Sequence, residues 1–287
     1  MRRRLGWLRA LSFGWFLTWS LASSPAGAET SAGSPECRRA DRLSLNLTAW
    51  KAALKRAATD DRRDELLAAM RLKLERDDPD ESSADDGHKP PPPARIALLG
   101  LDDMLAHLSQ GDLPDHVIQV RYRIETPDDK STAFLIQVLR PIGDGSWCFV
   151  GNDLSWQDDD ESHVESYTLA FVPLLSARTK AVEIRTVVSQ LRHSEMTRQY
   201  WIVEGLALRK LFDQKIDSMD NVEDGRDASV TSGKLALAGG FPKRIELTQT
   251  TKHSACDVHS GDAPCDDNQQ ASKLTFVYDG KTYVRRK

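Results

Sequence analysis

The stretch His116-Val-Ile-Gln-Val-Arg-Tyr-Arg-Ile-Glu-Thr126, HVIQVRYRIET, alternates Val120, Tyr122 and Ile124 with Arg121 and Arg123. An apolar residue at every second position is the mark of a strand with one face buried. The run stops at Thr126-Pro-Asp-Asp129, a turn signal. The same period continues towards the C-terminus. Strands are predicted over 116–126, 132–140, 147–151, 166–174, 181–191, 197–204, 233–238, 243–251, 273–278 and 282–286. Asp144-Gly145 and Asp279-Gly280 lie between β-rich runs. Asp-Gly is a hairpin signal, because the tight turn needs positive φ. Few helical patterns separate the strands, so parallel crossovers are not expected. The reading is an antiparallel meander of roughly eight to ten strands. Leu206–Ile216 reads either as a short helix carrying Leu208, Leu211 and Phe212 or as a continued strand, and 217–229 reads as a polar loop.

Upstream of the meander the period lengthens. Leu98, Leu101, Leu105 and Leu108, joined by Met104, predict a helix over 96–110 that stops at Gly111 and Pro114. Trp50, Leu54 and Ala57 predict a helix over 48–58. Acids at Asp60 and Asp61 followed by Leu66, Leu67 and Met70 predict another over 61–75. Leu43, Leu45 and Leu47 alternate, which suits a short strand before the first helix. Between 77 and 94 the chain is acidic, lacks large apolar residues, and ends in Pro90–Pro93 before Ala94. Such a segment has too little apolar surface to fold and serves as an extended spacer. The fold class is therefore α+β: a short helical N-terminal segment, then a predominantly antiparallel β meander domain with one leading helix. The organisation is 1–28 as a signal peptide, 29–76 as leader and helical segment, 77–94 as a disordered acidic and proline-rich linker, and 95–287 as helix plus β domain.

The signal-peptide reading rests on Arg2, Arg3, Arg4 and Arg9, an apolar run from Ala10 to Ala22, and small residues at Ala26 and Ala28. Together they match a cleavable export signal cut after Ala28, and the run is short for a membrane span. The expected location is secreted or periplasmic. Four of the 39 Lys and Arg and none of the 43 Asp and Glu fall in that leader, so the remainder carries a net charge of about −8. That balance argues against nucleic acid and anionic membrane as partners, both of which need a concentrated positive surface. No second long apolar run suggests a span after cleavage.

Four cysteines follow the leader: Cys37, Cys148, Cys256 and Cys265. In an oxidising compartment an even set reads as disulfides, with three connectivities open. The expected local pair is Cys256–Cys265, which leaves Cys37–Cys148. The same loop, His253-Ser-Ala-Cys-Asp-Val-His-Ser-Gly-Asp-Ala-Pro-Cys265, also offers a Cys/His set of zinc type in His253, Cys256, His259 and Cys265. Four ligands crowded into one hairpin tip close a tetrahedron poorly, so the disulfide is preferred and no metal is expected.

Nucleotide-binding glycine loops, a P-loop, H-E-x-x-H and G-x-S-x-G are all missing from the sequence, and no cofactor is expected. Asp158, Asp159, Asp160 and Glu161 with His163 form an acidic cluster that could hold an ion or supply carboxylate and imidazole chemistry. An acid run is more often a solvated loop. Asp220–Gly225 resembles half a calcium loop but has Val222 at a ligand position. Trp147, Trp156 and Trp201 could line a groove for a glycan or peptide, although aromatics in strands more often pack in the core. Asn46-Leu-Thr48 is a glycosylation sequon, relevant only in a eukaryotic secretory path. The function these features support is that of an exported, non-enzymatic binding or structural protein of the cell envelope or extracellular space, with an unknown protein or glycan ligand. The alternative is an exported hydrolase using the 158–163 cluster.

Overall fold

A computed structural model describes residues 37–74, 95–125, 130–143, 145–157, 163–190, 193–221, 227–255 and 266–286. From Ala133 to Arg140 every residue is buried, and no alternation survives. The reason is that this strand is covered on both faces. Ala133, Leu135 and Leu139 point into one core, while Phe134, Ile136 and Val138 point into another. A strand buried on both sides reads as a continuous apolar run.

That strand is β4 (Lys130–Gly143), central to the first sheet. Its neighbours are β1 (Arg42–Ser44), β2 (Arg95–Ala106), β3 (Asp115–Glu125) and β5 (Ser146–Gly151), in the order β1-β5-β4-β3-β2. A two-residue strand, β6 (Trp156–Gln157), pairs with β4 beyond β5. On one face of this sheet lie α1 (Leu47–Arg56) and α2 (Asp60–Ala69). Asn46 caps α1 by accepting from Ala49 N–H at 2.9 Å, and Thr59 caps α2 by accepting from Arg62 N–H at 3.4 Å. The indole of Trp50 donates to Leu66 O at 2.7 Å and joins the two helices. Trp50, Leu54, Leu67 and Met70 bury themselves against Ile118, Val120 and Tyr122.

The other face packs on the second sheet, a sequential meander: β7 (His163–Val172), β8 (Ala181–Gln190), β9 (His193–Glu204), β10 (Ala207–Asn221), β11 (Asp227–Ala238), β12 (Arg244–Ala255), β13 (Asp266–Tyr278) and β14 (Tyr283–Arg285). Val117, Ile136 and Val138 from the first sheet meet Val182, Ile184 and Tyr167 from the second. The far face of the second sheet holds a third core of Leu174, Tyr200, Phe212, Ile245 and Phe276. Beyond Leu247 the strands β11–β13 run on with Thr, Ser and Gln on both faces. All described strand pairs are antiparallel, and no helix among the described residues is long and apolar enough to cross a membrane. Among the described residues, strands make up 66% against two α-helices, so α+β is a loose description of a β-rich fold.

The helix read over 96–110 is the strand β2. A β-bulge explains the error. Leu98 pairs with Tyr122 and Gly100 with Arg121, so Leu99 is the extra residue and the parity shifts by one. Leu98 and Leu101, three apart, thus share one face with Ile96. The spacing imitates a helix while the backbone is extended. Leu206–Ile216 lies largely on the strand β10, where a register shift between Lys210 and Phe212 makes Leu211 an extra residue, so that Leu211 and Phe212, adjacent in sequence, both face the third core while Leu208 packs between the sheets. The loop read over 217–229 is shorter than expected, since β10 continues to Asn221 and β11 starts at Asp227. The glycines of the two Asp-Gly signals, Gly145 and Gly280, lie in turns between paired strands. Gly145 and Gly280 have φ of 69° and 101°, and Asp279 Oδ1 accepts from Lys281 and Thr282 N–H, both at 2.8 Å.

Candidate functional site

Cys37 and Cys148 form a disulfide across a sequence separation of 111. Its surroundings follow from strand register. Arg42 on β1 pairs with Cys148 on β5, and Cys148 pairs with Arg140 on β4. On β3, His116 pairs with Leu139, which sets Asp115 beside Arg140, and Asp115 pairs with Ala106 on β2. One cross-strand row thus carries Arg42, Cys148, Arg140, Asp115 and Ala106. It lies at the end of the core between the sheets, where apolar side chains give way to polar ones.

Arg140 and Asp115 form an ion pair in that row. Arg140 Nε donates to Asp115 Oδ1 at 3.0 Å, and the Asp115 side chain is fully buried. Asp115 Oδ2 accepts from Leu108 N–H at 3.2 Å, which anchors the loop between β2 and β3. Arg140 Nη1 donates to Gly205 O at 3.0 Å. Gly205, with φ of 64°, makes the β9–β10 turn of the second sheet. One guanidinium therefore joins the two sheets. Its Nη2 is buried and has no hydrogen-bond partner. Burying charges costs more than exposed contact returns unless partners satisfy them, so this group is placed at some expense.

Around it opens a depression of about 820 Å³. Arg140 and the Cys37–Cys148 disulfide line it, with Arg42 at one side. Pro141 and Ile142 at the end of β4, Leu113 in the β2–β3 loop and Leu206 in the β9–β10 turn add apolar surface. Leu113 and Ile142 are exposed at 58% and 38%, well above the few per cent usual for core leucines. Its lining is divided about evenly between polar and apolar surface, which is more polar than the usual small-molecule site but keeps the concave form and convergent polar groups of one.

The residues singled out from sequence fall elsewhere. Asp158, Asp159, Asp160 and Glu161 lie outside the described residues. His163 opens β7, exposed, with Ser189 as its strand partner. Cys256, His259 and Cys265 also lie outside the described residues, and His253 is an exposed strand residue between Ser229 and Asn268. Among the described residues no group of three or more His, Cys, Asp or Glu side chains could hold a metal ion. The tryptophans do not share a groove. Trp147 packs against the helical core and donates to Leu45 O at 3.0 Å, while Trp156 and Trp201 pack at the core between the sheets.

Two other polar clusters satisfy themselves. Buried Glu183 pairs with Arg185 at 3.2 Å and Arg198 at 3.1 Å. His193 Nδ1 bonds Asp220, and its Nε2 lies 3.2 Å from Glu195, which also binds Lys215 at 2.6 Å. The hydrogen bond with Asp220 raises the His193 pKa. Burial alone would raise Glu195, but its bonds with Lys215 and His193 outweigh that and hold it low.

Arg42, Asp115 and Arg140 drew no attention in the sequence. One signal was present: Arg140 and Asp115 each interrupt the edge of an apolar strand, and a charge there needs a partner. Comparison with protein families, curated proteins and solved structures found no match.

Proposed function

We propose that this chain is an exported, non-enzymatic binding protein of the envelope or extracellular space, and that it holds its ligand in the depression walled by Cys37–Cys148. The observation that carries the reading is the depression itself: a concave mixed surface fixed by a disulfide, a buried ion pair and a bond from Arg140 to the opposite sheet. Three elements with few degrees of freedom hold its walls, which lowers the ordering cost of binding. The disulfide is compatible with an oxidising compartment, and the N-terminal sequence supports export. A hydrolase reading would rest on 158–163, of which the structure describes only an exposed His163.

The test has two arms. Intact mass of the chain recovered outside the cytoplasm should match a start at Glu29, and recovery only from the cytoplasm at full length would contradict export. A thermal-shift screen of small molecules should give stabilising hits that disappear in Leu113→Asp. Turnover of any substrate, abolished by replacing His163, would contradict the non-enzymatic reading.

A further inference from the structure

The depression contains one buried donor without an acceptor, and that donor restricts what fits there. Arg140 is 8% exposed and its Nη2 makes no hydrogen bond. Buried donors in native proteins are nearly always paired. The acceptors of the row meet other donors and none makes a hydrogen bond with Nη2: Asp115 Oδ1 accepts from Arg140 Nε, Asp115 Oδ2 from Leu108 N–H, and Gly205 O from Arg140 Nη1. The missing acceptor therefore has to come from outside the row.

Charge narrows the class further. Asp115 neutralises Arg140. Arg42, one row position beyond Cys148, is exposed, and its Nε bonds Cys37 O at 3.3 Å. No described carboxylate pairs with it, so it supplies one uncompensated positive charge. Two strand spacings put Arg42 and Arg140 about 10 Å apart at the backbone, within reach of one small group between two long side chains. Asp112 on the rim opposes an anion, but it is fully exposed and 3.6 Å from Arg178, so solvent and its own partner screen it. One net positive charge suits a monoanion better than a doubly charged phosphate. Pro141, Ile142, Leu113 and Leu206 then offer apolar surface to the rest of the molecule.

The geometry points to a small aliphatic carboxylate as the ligand, with its oxygens accepting from the Arg42 guanidinium and from Arg140 Nη2, which a small side-chain movement brings to the surface, and with its chain lying along Ile142, Leu113 and Leu206. This assignment rests on the depression being the binding site.

Calorimetric titration of the full chain with octanoate, octanol and octylammonium separates the two claims. Octanoate should bind at least about tenfold more tightly than octanol, the effect of one charge-assisted hydrogen bond, and octylammonium should not bind. Arg42→Gln, on an exposed edge strand, should weaken octanoate by about tenfold and leave octanol unchanged. Arg140→Lys keeps a charge opposite Asp115 but loses the second nitrogen of the fork, and should also lose the preference for carboxylate. Equal binding of octanol and octanoate would overturn the carboxylate assignment and leave the depression as a neutral-ligand site. Octanoate binding untouched by Arg42→Gln, Arg140→Lys and Leu113→Asp would overturn it too. Failure of all three probes to bind would sink the site itself.

Discussion

Replacing both Cys37 and Cys148 by Ala tests how firmly the N-terminal segment is held to the body. The disulfide closes a loop with a sequence separation of 111, and that loop contains both helices and β2–β4. In the chain-entropy treatment, a cross-link of that span removes about 5 kcal/mol of freedom from the unfolded chain. Trp50, Leu54, Leu67 and Met70 keep the helices on the sheet without the covalent bond. Those contacts exist with and without the disulfide, however, and so cancel in the comparison. For a chain of this size 1 kcal/mol moves Tm by roughly 2–4 °C. The double variant should therefore melt roughly 10–20 °C lower by circular dichroism, with an unchanged far-ultraviolet spectrum at 20 °C. Alanine avoids burying a hydroxyl at Cys148, which is fully enclosed. A fall of less than about 3 °C would refute the reasoning and show that the unfolded chain is already constrained in this region.

Three further outcomes follow from the same geometry. Asp115→Ala strands the Arg140 guanidinium without its anion and frees Leu108 N–H, and should cost about 3–5 kcal/mol in urea unfolding. A cost near zero would mean that Arg140 reaches solvent. Gly233→Ala would bring a Cβ to 2.5 Å from Ile216 O, a backbone atom, and should cost about 1–3 kcal/mol while leaving the depression's ligand affinity intact. His193 should titrate above its ordinary value of 6.5 by NMR and drop in Asp220→Asn. Since its folded pKa is raised, its contribution to stability is complete below the unfolded pKa and is lost as pH rises through the folded one. A His193 pKa at or below the ordinary value would contradict the bond with Asp220.

The β class was legible because strands with one wet face keep a period of two, as Val120, Tyr122 and Ile124 do. The helices of the N-terminal segment were legible too, through the acids of α2 and the spacing of Trp50 and Leu54, although α2 ends at Ala69 rather than at 75, with Arg71 at positive φ just beyond it. Two things hid the rest. Bulges at Leu99 and near Leu211 changed the period locally, so extended chain looked helical. Past Leu247 both faces of β11–β13 are polar, so the strands there carry no alternation to read. The site was hidden for another reason. Arg42, Cys148, Arg140 and Asp115 are scattered over a hundred residues of sequence and meet only through register. Cys148 was the one member visible in advance, and the pairing of β1 with β5 is what brings Arg42 to the row.

The central claim is that ligand binds at the end of the inter-sheet core. Amide chemical-shift mapping on the isotope-labelled chain during octanoate titration tests it most directly. Saturable shifts are expected at Gly111 and Leu113 in the β2–β3 loop, at Gly143 and Ser146 flanking the β4–β5 turn, and at Leu206 in the β9–β10 turn, three places that meet at the depression. Shifts confined to the polar extension of β11–β13, around Thr231, Thr251 and Gln270, would contradict it.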